Sequence, residues 1–340
     1  MYLMSGTLHG FGLGVASENA NGDILDVFFP APKASLSGPS ADALRAVSGT
    51  LDEVALSALA RDCRAANDEP TATLAERLRD SGRRVVASTL IENDAPQTVE
   101  DAYLKLHMLS HRLVKPHGTD LSGIFPVLPN VAWTDEGPVD LSELADRQLT
   151  ARLQGRVLEV ASVDKFPKMT NYVVPSGVRI AHSARVRLGA YLGAGTTVMH
   201  EGFINFNAGT EGPGMVEGRI SAGVMVGKGS DLGGGCSTMG TLSGGGNIII
   251  SVGEECLIGA NAGLGIPLGD RCTVEAGLFV TAGTKVAVLD DQRNTIENIA
   301  ARHLAGRSDL LFRRNSQSGS VECLTNKTAI ELNESLHANN

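Results

Sequence analysis

The reading of the fold turns on residues 174–204, VPSGVRIAHSARVRLGAYLGAGTTVMHEGFI, in which Val174, Ile180, Val186, Leu192, Val198 and Ile204 recur at every sixth position. The same spacing returns in Ile220, Val226 and Leu232, then in Val252, Ile258 and Leu264, then in Leu268, Val274, Val280 and Val286. A period of six matches neither an amphipathic helix nor a two-sided sheet, whereas hexapeptide repeats build parallel β-solenoids. Each unit supplies one short strand and one turn, with the aliphatic side chain pointing inward. Four residues further on stand Val178, Ala184, Ala190 and Thr196, and later Cys236, Cys256 and Cys272. These small side chains suit a second inward site, so the three cysteines read as core packing rather than as nucleophiles or ligands.

Glycine use follows the same boundary. Of the 40 glycines, 26 lie between residues 174 and 290, where tight turns favour a residue without a Cβ. The string GKGSDLGGG sits inside the six-residue phase with no helix behind it, which argues against a dinucleotide loop. The repeat resembles that of hexapeptide-repeat proteins, which implies three units per coil; stacked at about 4.8 Å per coil, it leaves room for roughly five to six coils. Two interruptions stand out: Asn205–Arg219 (NFNAGTEGPGMVEGR), and Met239–Ile250, which contains GTLSGGGN. Both read as projecting loops.

Residues 1–165 read as a mixed α/β domain. Ile24–Phe29 forms a strand-like run, Ala41–Ala65 and Thr73–Arg79 are helical in composition, and Val99, Tyr103, Leu106, Ser110 and Leu113 share a helical face behind a Thr98/Asp101 capping box. A further helix follows Asp140, carries Leu141, Leu144, Ala145 and Leu149, and stops at Gly155. Residues 166–290 are the solenoid, and 291–340 a C-terminal segment.

The chain has 340 residues, 29 Lys plus Arg against 38 Asp plus Glu, and a net charge of −9, which argues against a nucleic-acid binder. Only 4% of residues are aromatic beside 42% hydrophobic, so the core is aliphatic. No apolar run reaches the roughly 18–20 residues of a membrane helix, and the N-terminus lacks a signal-peptide pattern; a cytoplasmic protein is expected. Five widely spaced cysteines without a CxxC pair suggest neither a disulfide framework nor a zinc knuckle.

His200, Glu201, Glu217 and Arg219 gather a base, two carboxylates and a guanidinium near the first interruption, a set suited to acid/base work and anion binding. Glu217 and Arg219 read equally as a solvated pair at a coil corner.

FPKMTNYVVPSGVRIA, MHEGF, MVEGR, GKGSDLGGGCSTMGTLSGGGN, ANAGLGIPLGDRCTVEAGLFVTAGTKV and DLLFRRNSQSGSVEC resemble the tetrahydrodipicolinate N-succinyltransferases of the actinobacterial and pseudomonad type. LKLHMLSHRLVKPH and IFPVLPNVAWT upstream, and IELNESLHAN near the end, extend the likeness along nearly the whole chain. The resemblance implies a left-handed parallel β-helix, a homotrimer with sites between neighbouring coils, and succinyl transfer from succinyl-CoA to the amino group of ring-opened L-2,3,4,5-tetrahydrodipicolinate in diaminopimelate and lysine biosynthesis. It implies that Glu217 is the catalytic carboxylate, described in the family as accepting succinyl as an acyl anhydride. It assigns Arg219, Gly234, Ser237, Ala260, Glu275, Ala276, Gly283, Arg313, Arg314, Asn315 and Ser316 to succinyl-CoA. Gly234 and Gly283 read equally as coil turns.

Two departures accompany it. Some relatives hold magnesium between the Glu of HEG, here Glu201, and an aspartate where this chain has Ala184, which weakens the case for a metal. A family lysine on CoA corresponds to Ala300, its part falling to Arg302 or Arg293. No tightly bound cofactor is expected. Three other readings stay open: an acetyltransferase of the same superfamily with His200 as base, a zinc-dependent carbonic anhydrase of similar fold, and a non-catalytic solenoid. The second needs three histidines, and the repeat region holds only His182 and His200.

Overall fold

The computed structural model describes residues 6–240 and 248–325. The chain divides into two compact units: one comprises residues 1–114, 118–167 and 171–173, and the other 115–117, 168–170 and 174–340.

The first unit is α/β. Its larger sheet joins β1 (Leu8–Glu18), β2 (Ile24–Phe28), β3 (Lys33–Leu36), β4 (Gly49–Leu51) and β5 (Val85–Leu90) in the order β2–β1–β5–β4, with β3 also on β1 and every pairing antiparallel. Leu8, Phe11, Leu13, Val85 and Ala87 from the sheet bury against α1 (Gly38–Leu44), α2 (Glu53–Ala65) and α3 (Glu69–Arg79) through Leu44, Leu56, Leu59 and Ala75. The run 41–65 is therefore not one helix. Gly49, at φ 78°, turns the chain into β4 between α1 and α2.

α4 (Val99–Ser110) carries the expected reciprocal cap between Thr98 and Asp101, while Leu113 falls beyond its end and is exposed. α5 (Ile124–Val127) leads into β6 (Val131–Thr134), β7 (Gly137–Asp140) and β8 (Val160–Asp164), a small sheet ordered β7–β6–β8. α6 (Leu141–Leu153) starts on Asp140, whose carboxylate accepts from Ser142 N, and ends before Gly155 at φ 73°. The face read as apolar in α6 does not enter a core. Leu141 and Leu149 are exposed, and only Ala151 is buried.

The second unit is a parallel β-helix with three strand faces per coil. On one face Leu192, Thr210, Val226 and Val252 are in register. On the next, Ile180, Val198, Val216, Leu232, Ile258, Val274 and Phe312 stack. On the third, Val186, Ile204, Ile220, Thr238, Leu264 and Val280 follow. Fourteen of the sixteen aliphatic positions are buried, each contributing about 1.5–3 kcal/mol of transfer free energy. The two failures lie at the start: Val174 is 63% exposed and Ile180 half-buried, because no earlier coil covers them. Of the second inward set, Ala190, Thr196, Cys236, Cys256 and Cys272 are buried, Val178 is half-buried, and Ala184 is exposed. All five cysteines are free and buried, and burial pushes the Cys236 and Cys323 thiols up to about 12.

Asn205–Arg219 is not a projecting loop. Ala208–Thr210 and Gly214–Val216 are ordinary coil strands, and Thr210 and Val216 hold the six-residue phase. What changes is the corner after Val216. The next inward residue, Ile220, comes four residues later instead of six, so Glu217, Gly218 and Arg219 form a shortened corner. The second interruption lies largely outside the described residues. Past the last coil, the antiparallel pair Leu310–Arg314 and Val321–Thr325 extends the longest face, with Phe312 pairing both Val274 and Cys323.

Candidate active site

One edge of the β-helix collects most of the expected functional residues. Each residue just past a strand of the longest face donates its N–H to the strand of the next coil. Ala181 donates to Val198 O, Met199 to Val216 O, Glu217 to Leu232 O, Gly233 to Ile258 O, Gly259 to Val274 O and Glu275 to Phe312 O, all at 2.8–2.9 Å. Glu217, Gly233, Gly259, Glu275 and Arg313 are therefore successive rungs of one row. Gly234, Ala260, Ala276 and Arg314 are the residues directly after them. His182 and His200 lie on the same edge before Glu217.

Glu217 is half-buried, and its carboxylate makes no hydrogen bond or ion pair with the described residues. Its charge is felt by the Cys236 thiol, which burial first and Glu217 second hold above the usual range. Gly234 leaves the space in front of it open. A Cβ built at Gly234 would meet only Glu217 Oε2, at 3.5 Å, and Gly234 does not adopt a positive φ. Neither crowding nor backbone strain therefore demands glycine there. Gly283 is equally unconstrained, with nothing within 4 Å of a built Cβ.

Around the corner, Arg219 pairs in register with Ser237, whose hydroxyl accepts from Arg219 Nε at 3.1 Å and Nη2 at 2.7 Å. This fixes the guanidinium on the outer surface with other donors to spare. Glu217 and Arg219 are thus not an ion pair. At the far end of the edge, Glu275 Oε2 accepts from Arg314 N at 2.6 Å, tying the Arg313–Ser316 run to the last coil. Arg314 is exposed and lends Nη1 to Gly319 O, at 3.0 Å. Ser316 is exposed, and Asn315 closes the turn by accepting from Gln317 N and Ser318 N, both at 3.0 Å.

Sequence reasoning missed Glu322. It sits opposite Arg313 in the terminal hairpin, accepts from Arg313 Nε at 2.9 Å and from Asn315 Nδ2 at 2.7 Å, and is 7% exposed. No motif marks it in the sequence; its place opposite Arg313 comes from the register of the terminal hairpin.

Glu201 does not fit a metal within one chain. Its Oε2 accepts from Arg185 Nη2 at 2.6 Å and its Oε1 faces His200 Nδ1 at 2.9 Å; the two partners hold its carboxyl below the usual range. Ala184 supplies no donor, and no group of three His, Cys, Asp or Glu placed to hold a metal occurs among the described residues. Ala300 ends the exposed strand Thr295–Ala300, and Arg302 Nε donates to Ala282 O at 3.2 Å.

No helix among the described residues is long and apolar enough to cross a membrane. Residues 128–168 match the family described as tetrahydrodipicolinate N-succinyltransferase middle, and residues 249–282 match the hexapeptide repeat of succinyl-transferase. The chain is 63% identical over 347 aligned positions to the 2,3,4,5-tetrahydropyridine-2,6-dicarboxylate N-succinyltransferase of Pseudomonas paraeruginosa, covering 99% of this chain and 100% of that protein. It is 58% identical to the protein of the same name from Vibrio cholerae, covering 97% and 98%. A solved Campylobacter jejuni structure, a candidate 2,3,4,5-tetrahydropyridine-2-carboxylate N-succinyltransferase, superposes with a TM-score of 0.86 at 34% identity, covering 95% of this chain and 93% of that one. By its coil stack and its identity along nearly the full chain, this protein belongs to the 2,3,4,5-tetrahydropyridine-2,6-dicarboxylate N-succinyltransferase family.

Proposed function

We propose that this chain transfers succinyl from succinyl-CoA to the amino group of ring-opened L-2,3,4,5-tetrahydrodipicolinate, giving N-succinyl-2-amino-6-oxopimelate and CoA, a step towards diaminopimelate and lysine. The observation that carries this reading is a half-buried carboxylate, Glu217, at the shortened corner, in register with a row of small residues ending at Arg313 and Arg314. Four rungs of about 4.8 Å separate Glu217 from Arg313, roughly 19 Å of edge along which an extended pantetheine arm can lie.

An amine attacks a thioester only when unprotonated. Glu217 takes the proton, the nitrogen lone pair forms the new C–N bond at the thioester carbonyl, and the C–S bond breaks to release CoA as a thiolate that is then protonated. Arg219, whose guanidinium is held by Ser237, receives the succinyl carboxylate in this reading through planar, permanently charged donors. Gly234, Ala260, Ala276 and Gly283 keep the edge low for the pantetheine, Glu275 anchors the terminal turn, and the Arg313–Ser316 run forms the phosphate end of the site. We take the coil to be left-handed, residues 1–165, 166–290 and 291–340 to be its three segments, the working unit to be a cytoplasmic homotrimer, and the sites to lie between its coils.

The test is release of CoA from succinyl-CoA with and without tetrahydrodipicolinate, repeated with acetyl-CoA. Release that needs both the acceptor and the succinyl donor supports the proposal. Preference for acetyl-CoA would favour the acetyltransferase with His200 as base, and no release with either donor would favour the non-catalytic solenoid.

A further inference from the structure

Arg313 and Arg314 are adjacent in sequence, yet the structure treats them differently. Arg313 is half-buried and bound by Nε and Nη2 to Glu322 Oε2, at 2.9 and 2.8 Å. The other oxygen of Glu322 accepts from Asn315 Nδ2 at 2.7 Å. One buried carboxylate thus bridges both ends of the Arg313–Asn315 run, and its charge cancels that of Arg313. Arg314 has no carboxylate on its guanidinium among the described residues. Its backbone N–H is held by Glu275 and its side chain spends one donor on Gly319 O. Two acidic residues from different elements therefore fix the backbone between them while leaving a single uncompensated guanidinium exposed.

Resting on the donor site proposed above, we propose that Glu322 is a positioning residue for the succinyl-CoA site. It withdraws Arg313 from direct phosphate contact and, through Arg313 and Asn315, sets the turn that presents Arg314 to the CoA phosphates. Arg313 is then an internal brace and Arg314 the phosphate ligand. Breaking this pair from one side leaves the carboxylate of Glu322, 7% exposed, or the half-buried Arg313 guanidinium without its counter-charge in a largely desolvated place, which is costly. Removing either partner therefore displaces the turn.

Direct binding of CoA and of 3′-dephospho-CoA, which needs no acceptor and no turnover, tests this on the full-length protein. Arg314→Gln is expected to weaken CoA at least tenfold and to erase most of its advantage over dephospho-CoA. Glu322→Gln and Arg313→Gln are each expected to weaken CoA by about 3–10-fold and to narrow its advantage over dephospho-CoA only in part, because the displaced turn still carries Arg314. The double variant is expected to bind like either single one, because the two residues act as one unit. In turnover, Glu322→Gln is expected to raise the KM for succinyl-CoA with kcat within about threefold, an outcome that general unfolding does not give. Should Arg313→Gln fail to fold, Arg313→Lys keeps the charge but not the fork, and is expected to behave like Glu322→Gln. The proposal is overturned if an Arg313 variant, rather than Arg314→Gln, removes discrimination of the 3′-phosphate, or if the losses at 313 and 322 add. Failure of wild-type protein to bind CoA would instead overturn the donor-site reading beneath it.

Discussion

Replacing Gly218 by alanine gives a direct test of how the shortened corner holds Glu217. A Cβ at this position would lie 2.3 Å from Cys236 Sγ and 2.6 Å from Cys236 O, where ordinary contact begins near 3.4 Å, so the shortfall is about 1 Å. Cys236 is buried on a two-atom side chain and cannot swing away. The adjoining coils must part at the edge where Glu217 N reaches Leu232 O and Arg219 N reaches Cys236 O, both at 2.8 Å. Overpacking of this kind costs about 1–3 kcal/mol, and weakening one or two backbone hydrogen bonds about 1 kcal/mol more, for a total of about 2–4 kcal/mol. Thermal unfolding is expected about 5–10 °C lower. Because a misplacement of about 1 Å can reduce turnover by about 10²-fold, acceptor-dependent CoA release is expected to fall by that order. Adding Cys236→Ala removes the sulfur contact but not the carbonyl contact, so recovery is expected to be partial. A Gly218→Ala protein with native melting temperature and native turnover would refute the reasoning.

Burial holds His107 down to about 3, with Nδ1 donating to Tyr103 O at 2.8 Å and Nε2 accepting from Phe29 N at 3.3 Å, so the folded first unit keeps it neutral. Between pH 6.5 and 3 the unfolded chain binds the proton that the folded chain refuses, and stability is expected to fall on acidification by about 1.4 kcal/mol per unit. Denaturant titrations at pH 7 and 4.5 check this, and a His107→Gln variant with an equally steep acid limb would contradict it. Dialysis against EDTA is expected to leave melting temperature and turnover unchanged, since Arg185 and His200 occupy Glu201. Lost activity restored by magnesium would contradict that.

The solenoid was legible because its inward positions are aliphatic and evenly spaced, a pattern that survives without knowledge of any contact. It failed where a buried position is polar. Thr210 reads as an interruption, yet its hydroxyl accepts from Gly212 N at 3.1 Å, and Thr238 likewise donates to Arg219 O at 3.1 Å. A threonine paired with the coil's own backbone can fill an inward site that a hydrophobicity pattern leaves blank. An interruption before Ile220 was visible, but the sequence does not tell a loop that projects from a corner that shortens. The row from Glu217 to Arg313 was only partly legible, because register between coils is set by backbone pairing across 16, 26 or 38 residues. Glu322 was missed for a related reason: its role exists only once the terminal strands pair.

Glu217→Gln, assayed for acceptor-dependent CoA release beside direct CoA binding, probes the central claim with the least disturbance, since the substitution keeps the shape and removes the charge. Turnover is expected to fall by about 10²–10⁴-fold, with CoA affinity within about threefold of wild type and the oligomeric state unchanged. A Gln variant that turns over at the wild-type rate would contradict the account.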